Sequence, residues 1–281
     1  MTDSNLKLIF LGSSGGIQVP LSLCSCNTCE EARKNPKLRR TRASILLSGK
    51  ENILIDAGPD IEFQLETEKI KHVDQIFLTH WHYDHCFGLG AFPMLGDLGI
   101  WKNPIIDLYL SEQYIKNFEN IGFSWAKHRY KLHPIKPGEI IRILEASIEV
   151  VRTTHSPYSV GYIITTPNTA FAYLVDGVIP PKKTINRLKD KNLDFIILEG
   201  TVDKLILPKG QTFQEWSNFS IFDAVDFWKT LDIEKCIITH ASFHSWNLNK
   251  LVAGIASSER KQLEENHPGL SFAYDGLRIN I

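Results

Sequence analysis

The sequence His80-Trp81-His82-Tyr83-Asp84-His85 follows directly on the apolar run Val73 to Thr79. A short run of that kind reads as a buried strand. At a strand end, residues two apart point the same way, so His80 and His82 can hold one ion from one side. The chain then turns, and Asp84 and His85 can face the same cavity from a new direction. Imidazole nitrogens with a carboxylate oxygen suit zinc, and also manganese or iron. Whatever this chain folds into, it must bring the end of a buried strand to the wall of a metal-sized cavity.

Three further residues of ligand type share that placement. His155 follows the apolar run Ile148 to Thr153, Asp176 follows Ala170 to Val175, and His240 follows Lys235 to Thr239. Ligands gather at the carboxyl ends of strands in layered α/β folds. Further strands are expected over Leu6 to Leu11, Ala43 to Ser48, Asn52 to Ile55, Ile105 to Leu110, Ile140 to Leu144, Gly161 to Thr166 and Phe195 to Leu198. Helices are expected over Ser111 to Asn120, Pro180 to Lys191, Ser220 to Thr230 and Ser257 to Glu265, and a closing strand pair over Ser271 to Ile281. Strands and helices alternate through both halves, which favours one α/β domain over residues 1–281. The glycine-rich turn Gly12 to Gly16 lacks the spacing of a phosphate-binding fingerprint and reads as a tight turn or a close backbone approach.

The 31 basic residues nearly balance the 32 acidic ones. That balance removes the basic excess of a dedicated nucleic-acid surface. The apolar stretch at Leu6 to Leu11 is too short for a signal peptide or membrane span. A cytoplasmic protein with no membrane partner is expected, with a homodimer allowed. The five cysteines are no disulfide framework, because three of them, Cys24, Cys26 and Cys29, share one short loop. Three thiolates so placed fit a structural tetrahedral zinc, for which His244 is the candidate fourth ligand.

The motif His80-x-His82-x-Asp84-His85, with His155, Asp176 and His240 downstream in that order, resembles the metallo-β-lactamase superfamily of metal-dependent hydrolases. The resemblance implies a four-layer αββα sandwich with two divalent metal ions at one edge of the packed sheets, zinc first, manganese or iron as alternatives. It assigns His80, His82 and His155 to one metal, Asp84, His85 and His240 to the other, and Asp176 to a bridge. Asp56 would orient a ligand from behind. Paired metals acting through a bridging hydroxide make hydrolysis the natural reaction, and two aspartates against two dications leave a positive site that favours an anionic substrate.

The turn Leu11 to Gly16, Val19-Pro20, the cysteine loop and the stretch Arg39 to Ser44 look more specifically like two groups within that superfamily. One is the phosphodiesterase family of phosphonate catabolism that opens phosphoribosyl cyclic phosphate; the other is the protein B family of pyrroloquinoline quinone biosynthesis. The complete hexad favours the first, hence a phosphodiesterase for a small phosphorylated or cyclic-phosphate substrate. An oxidoreductase or carrier like the quinone-pathway protein, or a thioester hydrolase, is the alternative. Where the phosphodiesterase family carries a histidine after its strand, this sequence reads Glu199-Gly200-Thr201-Val202-Asp203. Proton delivery to the leaving group then falls to Asp203, His244 or a metal-bound water, with Asp84 completing the catalytic set. Arg39 and Arg42 are candidates to hold a substrate phosphate, and the aromatic-bearing stretch 96–135 is a candidate cap.

Overall fold

The computed structural model describes residues 6–101, 105–120, 123–206, 218–247, 250–252 and 255–281, with 123–124, 202–206, 244–247 and 250–252 described by backbone alone. Its strands are β1 (Lys7–Gly12), β2 (Ser44–Ser48), β3 (Asn52–Ile55), β4 (Gln75–Phe77), β5 (Ile106–Ser111), β6 (Tyr130–Ile135), β7 (Ile140–Arg142), β8 (Ser147–Arg152), β9 (Val160–Thr165), β10 (Ala170–Leu174), β11 (Phe195–Glu199), β12 (Val202–Ile206), β13 (Lys235–Thr239), β14 (His244–Asn247), β15 (Lys250–Val252), β16 (Leu270–Phe272) and β17 (Arg278–Asn280). Its α-helices are α1 (Asn27–Lys34), α2 (Ile61–Glu68), α3 (Tyr83–Cys86), α4 (Ala91–Asp97), α5 (Ile115–Asn120), α6 (Lys182–Asp190), α7 (Ile221–Lys229) and α8 (Ser257–Asn266).

Two seven-stranded mixed sheets form, in the orders β17-β1-β2-β3-β4-β5-β6 and β16-β13-β11-β10-β9-β8-β7, with β12-β14-β15 as a small third sheet. The central strands are buried on both faces, which is why they read as continuous apolar runs without alternation. In β2, Ile45 and Leu47 point between the sheets with Phe10, Phe77, Tyr162, Phe171 and Ile197. Leu46, between them in sequence, points outward to the layer holding Leu54, Ile61, Leu65 and Phe92. The outer face of the second sheet packs Ile163, Ala172 and Ile196 against Leu188 of α6 and Phe227 and Trp228 of α7. The chain is therefore the expected sandwich, two mixed β-sheets flanked by helices. No helix among the described residues is long and apolar enough to cross a membrane.

Parallel pairing sets where chemistry can occur. In the first sheet β3 and β4 end level, with Ile55 opposite Phe77. In the second, Leu174 of β10 faces Leu198 of β11, and Glu199 faces Thr239 of β13. The residues that follow these strands therefore meet at one edge. There the sheets are tied together: the Val160 N–H donates to the Thr79 carbonyl at 2.9 Å, the Tyr162 hydroxyl to the Leu78 carbonyl at 2.5 Å, and the Ala241 N–H to the Ser13 carbonyl at 2.9 Å.

Three sequence expectations change. The closing segment is not a strand pair: β16 joins β13 in the second sheet, and β17 joins β1 in the first. Short apolar segments carry no signal for which sheet they complete. Of the stretch 96–135, Ile106–Ser111 and Tyr130–Ile135 are consecutive strands of the first sheet, with helical turns between them. The cysteine loop runs into α1, where Cys29 is buried.

The turn after β3 packs so closely on the segment after α3 that a side chain on Gly88 would lie 2.1 Å from the Gly58 carbonyl oxygen and 2.9 Å from that of Ala57. Backbone cannot yield as a flexible side chain can. Gly88→Ala is expected to destabilise the fold by about 1–3 kcal/mol, read as a lowered midpoint in thermal unfolding of the metal-free protein; an unchanged midpoint would show that this contact does not constrain the edge.

Candidate metal centre

At the tied edge the side chains form two groups, each with its ligand atoms within 4.8 Å of one another: His80, His82, His155 and Asp176, and Asp84, His85, Asp176 and His240. The structure thus brings together all seven residues singled out from the sequence. Asp176 belongs to both groups. Its Oδ2 lies 3.2 Å from His80 Nε2, 3.0 Å from His85 Nε2, 3.5 Å from His240 Nε2 and 3.7 Å from His155 Nε2. Asn218 donates its amide to the other oxygen, Oδ1, and so fixes which oxygen faces the cavity.

Between His80 and His82, Trp81 turns the other way and packs on Tyr114 and Phe118 in the outer core. This anchors the strand end and explains an apolar residue inside the ligand motif. Asp56, Asp176 and His240 each follow a strand with φ of 64°, 63° and 52°. A left-handed backbone costs a non-glycine residue on the order of 1–3 kcal/mol. The surrounding hydrogen bonds hold these three residues in it.

Two carboxylate–threonine–histidine chains orient the imidazoles, one from each sheet. The Thr79 hydroxyl donates to Asp56 at 2.9 Å, so at its 3.0 Å contact with His80 Nδ1 it accepts. The Thr201 hydroxyl donates to Glu199 Oε2 at 2.8 Å and likewise accepts from His240 Nδ1 at 3.0 Å. His85 Nδ1 donates directly to Asp56 Oδ2 at 2.8 Å. With Nδ1 as donor, all three rings turn Nε2 into the cavity. Partners of this kind fix the tautomer and raise the basicity of a metal ligand.

Turned inward, these nitrogens need something between them. His80 Nε2 is buried and makes no hydrogen bond. His82 Nδ1 faces His155 Nε2 at 3.0 Å, and His85 Nε2 faces His240 Nε2 at 3.2 Å. Two ring nitrogens so close require a proton or a cation. The donor set of imidazole nitrogen and carboxylate oxygen fits divalent metal ions of the zinc, manganese or iron type.

Glu199 and Asn218 are functional residues that the sequence reading missed. Glu199 is fully buried and accepts from the Gly177 N–H at 2.8 Å, the Phe219 N–H at 2.7 Å and the Asn218 amide at 3.1 Å. Asn218 stands two residues before the Ser220–Asp223 capping box that starts α7. The available signal was an acidic residue closing an otherwise apolar strand. Glu199 also alters the charge balance. With Asp56 and Glu199 behind Asp84 and Asp176, four carboxylates would offset two dications, and an activated hydroxide would bring the sum to about −1, so the centre would carry no excess positive charge.

The glycine-rich turn is a close backbone approach: a side chain on Gly15 would lie 3.1 Å from the His240 ring. Arg42 is engaged by Asp60, Nη1 donating to its oxygens at 3.0 and 2.9 Å, and Nε donates to the Gly16 carbonyl at 3.2 Å. Its charge is thereby neutralised at home, so the structure does not present it as a ready phosphate clamp. Arg39 Nε donates to the Ala32 carbonyl on α1, at 3.4 Å, and contacts none of the seven. Asp203 and His244 lie on β12 and β14, where Val202 and His244 are register partners; their side chains lie outside the described residues.

The thiols of Cys24, Cys26 and Cys29 form a third group within the same 4.8 Å limit. The Leu21 N–H donates to Cys29 Sγ at 3.2 Å, and Thr28 Oγ1 donates to the carbonyl of Phe243, the residue before His244, at 3.1 Å.

A family model described as the β-lactamase superfamily domain matches residues 51–241. The chain belongs to that superfamily, and its sandwich and donor cluster are those of the metallo-β-lactamase fold. Among solved structures it is similar to a diphosphatase of the PhnP family, with 25% identity over 98% of this chain and 96% of that one at a TM-score of 0.78. It is also similar to the Zn²⁺-bound PqqB of Methylobacterium extorquens, with 20% identity over 98% and 100% of the chains at a TM-score of 0.77, a likeness that shows the fold alone. Among curated relatives it is 25% identical to the octanoyltransferase of Porphyromonas gingivalis over 98% of this chain and 52% of that one. It is 26% identical to the ribonuclease Z of Archaeoglobus fulgidus over 56% and 47%. The chain spans about half the length of these curated relatives.

Without metal, burial pushes the His80 imidazolium down, helped by His85, to about 3. Burial also opposes a proton on His240, but Asp176, Asp84 and Glu199 outweigh it and raise that residue to about 10. This raised value stabilises the metal-free fold below pH 6.5, and the contribution fades as pH climbs through about 10. A cation must displace that proton. Titration with Zn²⁺ in buffers of different ionisation enthalpy is expected to show proton release and an apparent affinity that rises with pH from 6 to 9; pH-independent binding without proton release would contradict the geometry.

Proposed function

We propose that the chain is a dinuclear metal-dependent phosphodiesterase acting on a small phosphorylated or cyclic-phosphate substrate. The observation that carries this reading is the pair of ligand groups sharing Asp176 Oδ2 at an edge where the two sheets meet. His80, His82 and His155 would hold one divalent ion, Asp84, His85 and His240 the other, and Asp176 both. Bound there, the two ions supply activation of water and polarisation of the phosphoryl group.

The protein's own share is positional. Asp56 and Glu199, acting through Thr79 and Thr201, keep the imidazoles in the binding tautomer, while Asn218 aims Asp176. The lack of excess positive charge in this set of carboxylates and cations suits a phosphodiester, a monoanion, better than a dianionic monoester. Asp203, on β12 just beyond Glu199, is the proposed source of the leaving-group proton, His244 being given to the structural zinc. Similarity to a ribonuclease and to a diphosphatase supports phosphorus as the centre attacked. None of the five cysteines is in a disulfide, which fits the reducing cytoplasm.

A second reading, acyl-ester or thioester hydrolysis, draws on the octanoyltransferase relative, which aligns with nearly all of this chain. A panel of bis(4-nitrophenyl) phosphate, an acyl thioester and a lactam separates the two. The expected result is zinc- or manganese-dependent hydrolysis of the phosphodiester above the other substrates, abolished in Asp84→Ala with the fold intact; turnover of the thioester alone would overturn the substrate class.

Cys24, Cys26 and Cys29, with His244 as fourth ligand, are proposed to hold a separate structural zinc. Burial works against the Cys24 thiolate, but hydrogen bonds from Cys26 and Cys29 and the charge of Arg33 lower its pKa on balance. Cys26→Ser should release one zinc equivalent per chain by elemental analysis while leaving the other metals bound; unchanged zinc content would remove this site.

A further inference from the structure

Beside the first ligand group lies a recess of about 280 Å³ that the catalytic reading leaves unused, lined by Trp81, His82, Gln113, Tyr114, Asn117, Ser156, Pro157 and Tyr158. His82 belongs both to this wall and to the metal cluster, and Ser156 to Tyr158 follow directly on the ligand His155. A group bonded to an ester at the metals could therefore extend into it. We infer that this recess is a substrate subsite for a neutral, planar, hydrogen-bonding ring of nucleobase size, with Gln113, Asn117 and Tyr158 as the residues that select it. The inference rests on the phosphodiesterase reading for the substrate's other half.

Apart from His82 the lining holds no ionisable group but tyrosine, with no Lys, Arg, Asp or Glu. The Arg152 guanidinium lies 6.0 Å from the Tyr158 ring centroid and is not in the wall. A second phosphate or a carboxylate would lose water without gaining a counter-charge, which is costly. A neutral ring would not.

The recess also carries two side-chain amides. Gln113 and Asn117 stand four residues apart across the turn into α5, which places them on one helical face. Ser111 donates to Gln113 Oε1 at 2.8 Å, leaving the amide nitrogen as the atom to offer. Asn117 makes no hydrogen bond among the described residues and keeps both its donor and its acceptor. A pair of side-chain amides beside aromatic rings is the chemistry that reads base edges while stacking on their faces.

Tyr114, Ser156, Pro157 and Tyr158 complete the lining. Tyr114 donates its hydroxyl to the Pro157 carbonyl at 2.5 Å and contacts Ser156 Oγ at 3.2 Å, pinning the loop that carries Tyr158. Tyr158 has φ of 68° and is 45% exposed. A bulky residue in left-handed backbone, held by a buried tether and presenting its ring to solvent, shares the strained conformation of Asp56, Asp176 and His240 at the adjoining centre. The volume is slightly below the roughly 300–1,000 Å³ of pockets that hold drug-sized ligands. It suits one ring and not a run of nucleotides.

The test uses the metal-loaded protein. Adenosine, which has no phosphate, is titrated against it with tryptophan fluorescence as the signal, and ribose serves as the ring-free comparison. In parallel, kcat/KM is measured for adenosine 2′,3′-cyclic phosphate and for methyl 4-nitrophenyl phosphate. Adenosine should bind where ribose does not, and Asn117→Ala should weaken it about five- to ten-fold, the loss expected for one hydrogen bond. The ratio of the two kcat/KM values should fall by a similar factor, mainly through KM, and Asn117→Gln should recover part of it. Gln113→Ala gives the same readout should Asn117→Ala not fold. Adenosine binding equal in wild type and both variants, or absent in all, would overturn the subsite. Amide-dependent adenosine binding in a protein that turns over neither diester would uphold the subsite and remove the phosphodiesterase.

Discussion

Five imidazoles and two carboxylates aimed at one point are not a stable arrangement of protein atoms alone. His82 against His155, and His85 against His240, set ring nitrogens 3.0 and 3.2 Å apart, a geometry that needs a proton or a metal cation between each pair. The fold is organised to impose that geometry. Level strand ends from two sheets, interlocked through Thr79, Leu78 and Ser13, put the donors at one edge, and strained backbone at Asp56, Asp176 and His240 turns them inward. A centre that costs free energy when empty and relaxes when filled is the expected form of a built metal site.

The two carboxylate–threonine–histidine chains give this edge an internal correspondence. Asp56 and Thr79 stand to His80 as Glu199 and Thr201 stand to His240, one set from each sheet. The same residues set the charge of the centre. With only the two ligand aspartates counted, the site would attract any anion strongly. With Asp56 and Glu199 included, it holds much less excess charge, so discrimination must come from shape and from the neutral groups around the rim. That shifts attention from Arg42, already committed to Asp60, to the amides and tyrosines beside His82.

Sequence made some of this legible and concealed the rest for identifiable reasons. The hexad is contiguous and follows a buried strand, so its four donors are visible without a fold. His155, Asp176 and His240 are visible because each ends an apolar run; parallel pairing aligns the ends of β10, β11 and β13, and β8 reaches the same edge because it and β10 are both antiparallel to β9. Glu199 also ends an apolar run, but its meaning depends on His240, which lies far away in the chain and reaches it only through the pairing of β11 with β13. Asn218 gains its role only from hydrogen bonds to Asp176 and Glu199, both distant in the chain. The closing segment misled because β16 and β17 are each three residues long, and their partners are decided by the sandwich as a whole. Arg42 looked like a substrate ligand because sequence shows a charge without its partner.

The most direct test of the central claim is anomalous X-ray diffraction from crystals of the metal-loaded wild-type protein, collected on both sides of the absorption edge of the bound metal. The account predicts two anomalous peaks at the sheet edge, one coordinated by His80, His82 and His155, the other by Asp84, His85 and His240, with Asp176 touching both. A single peak there, or two peaks of which one lies out of reach of Asp176, would contradict it.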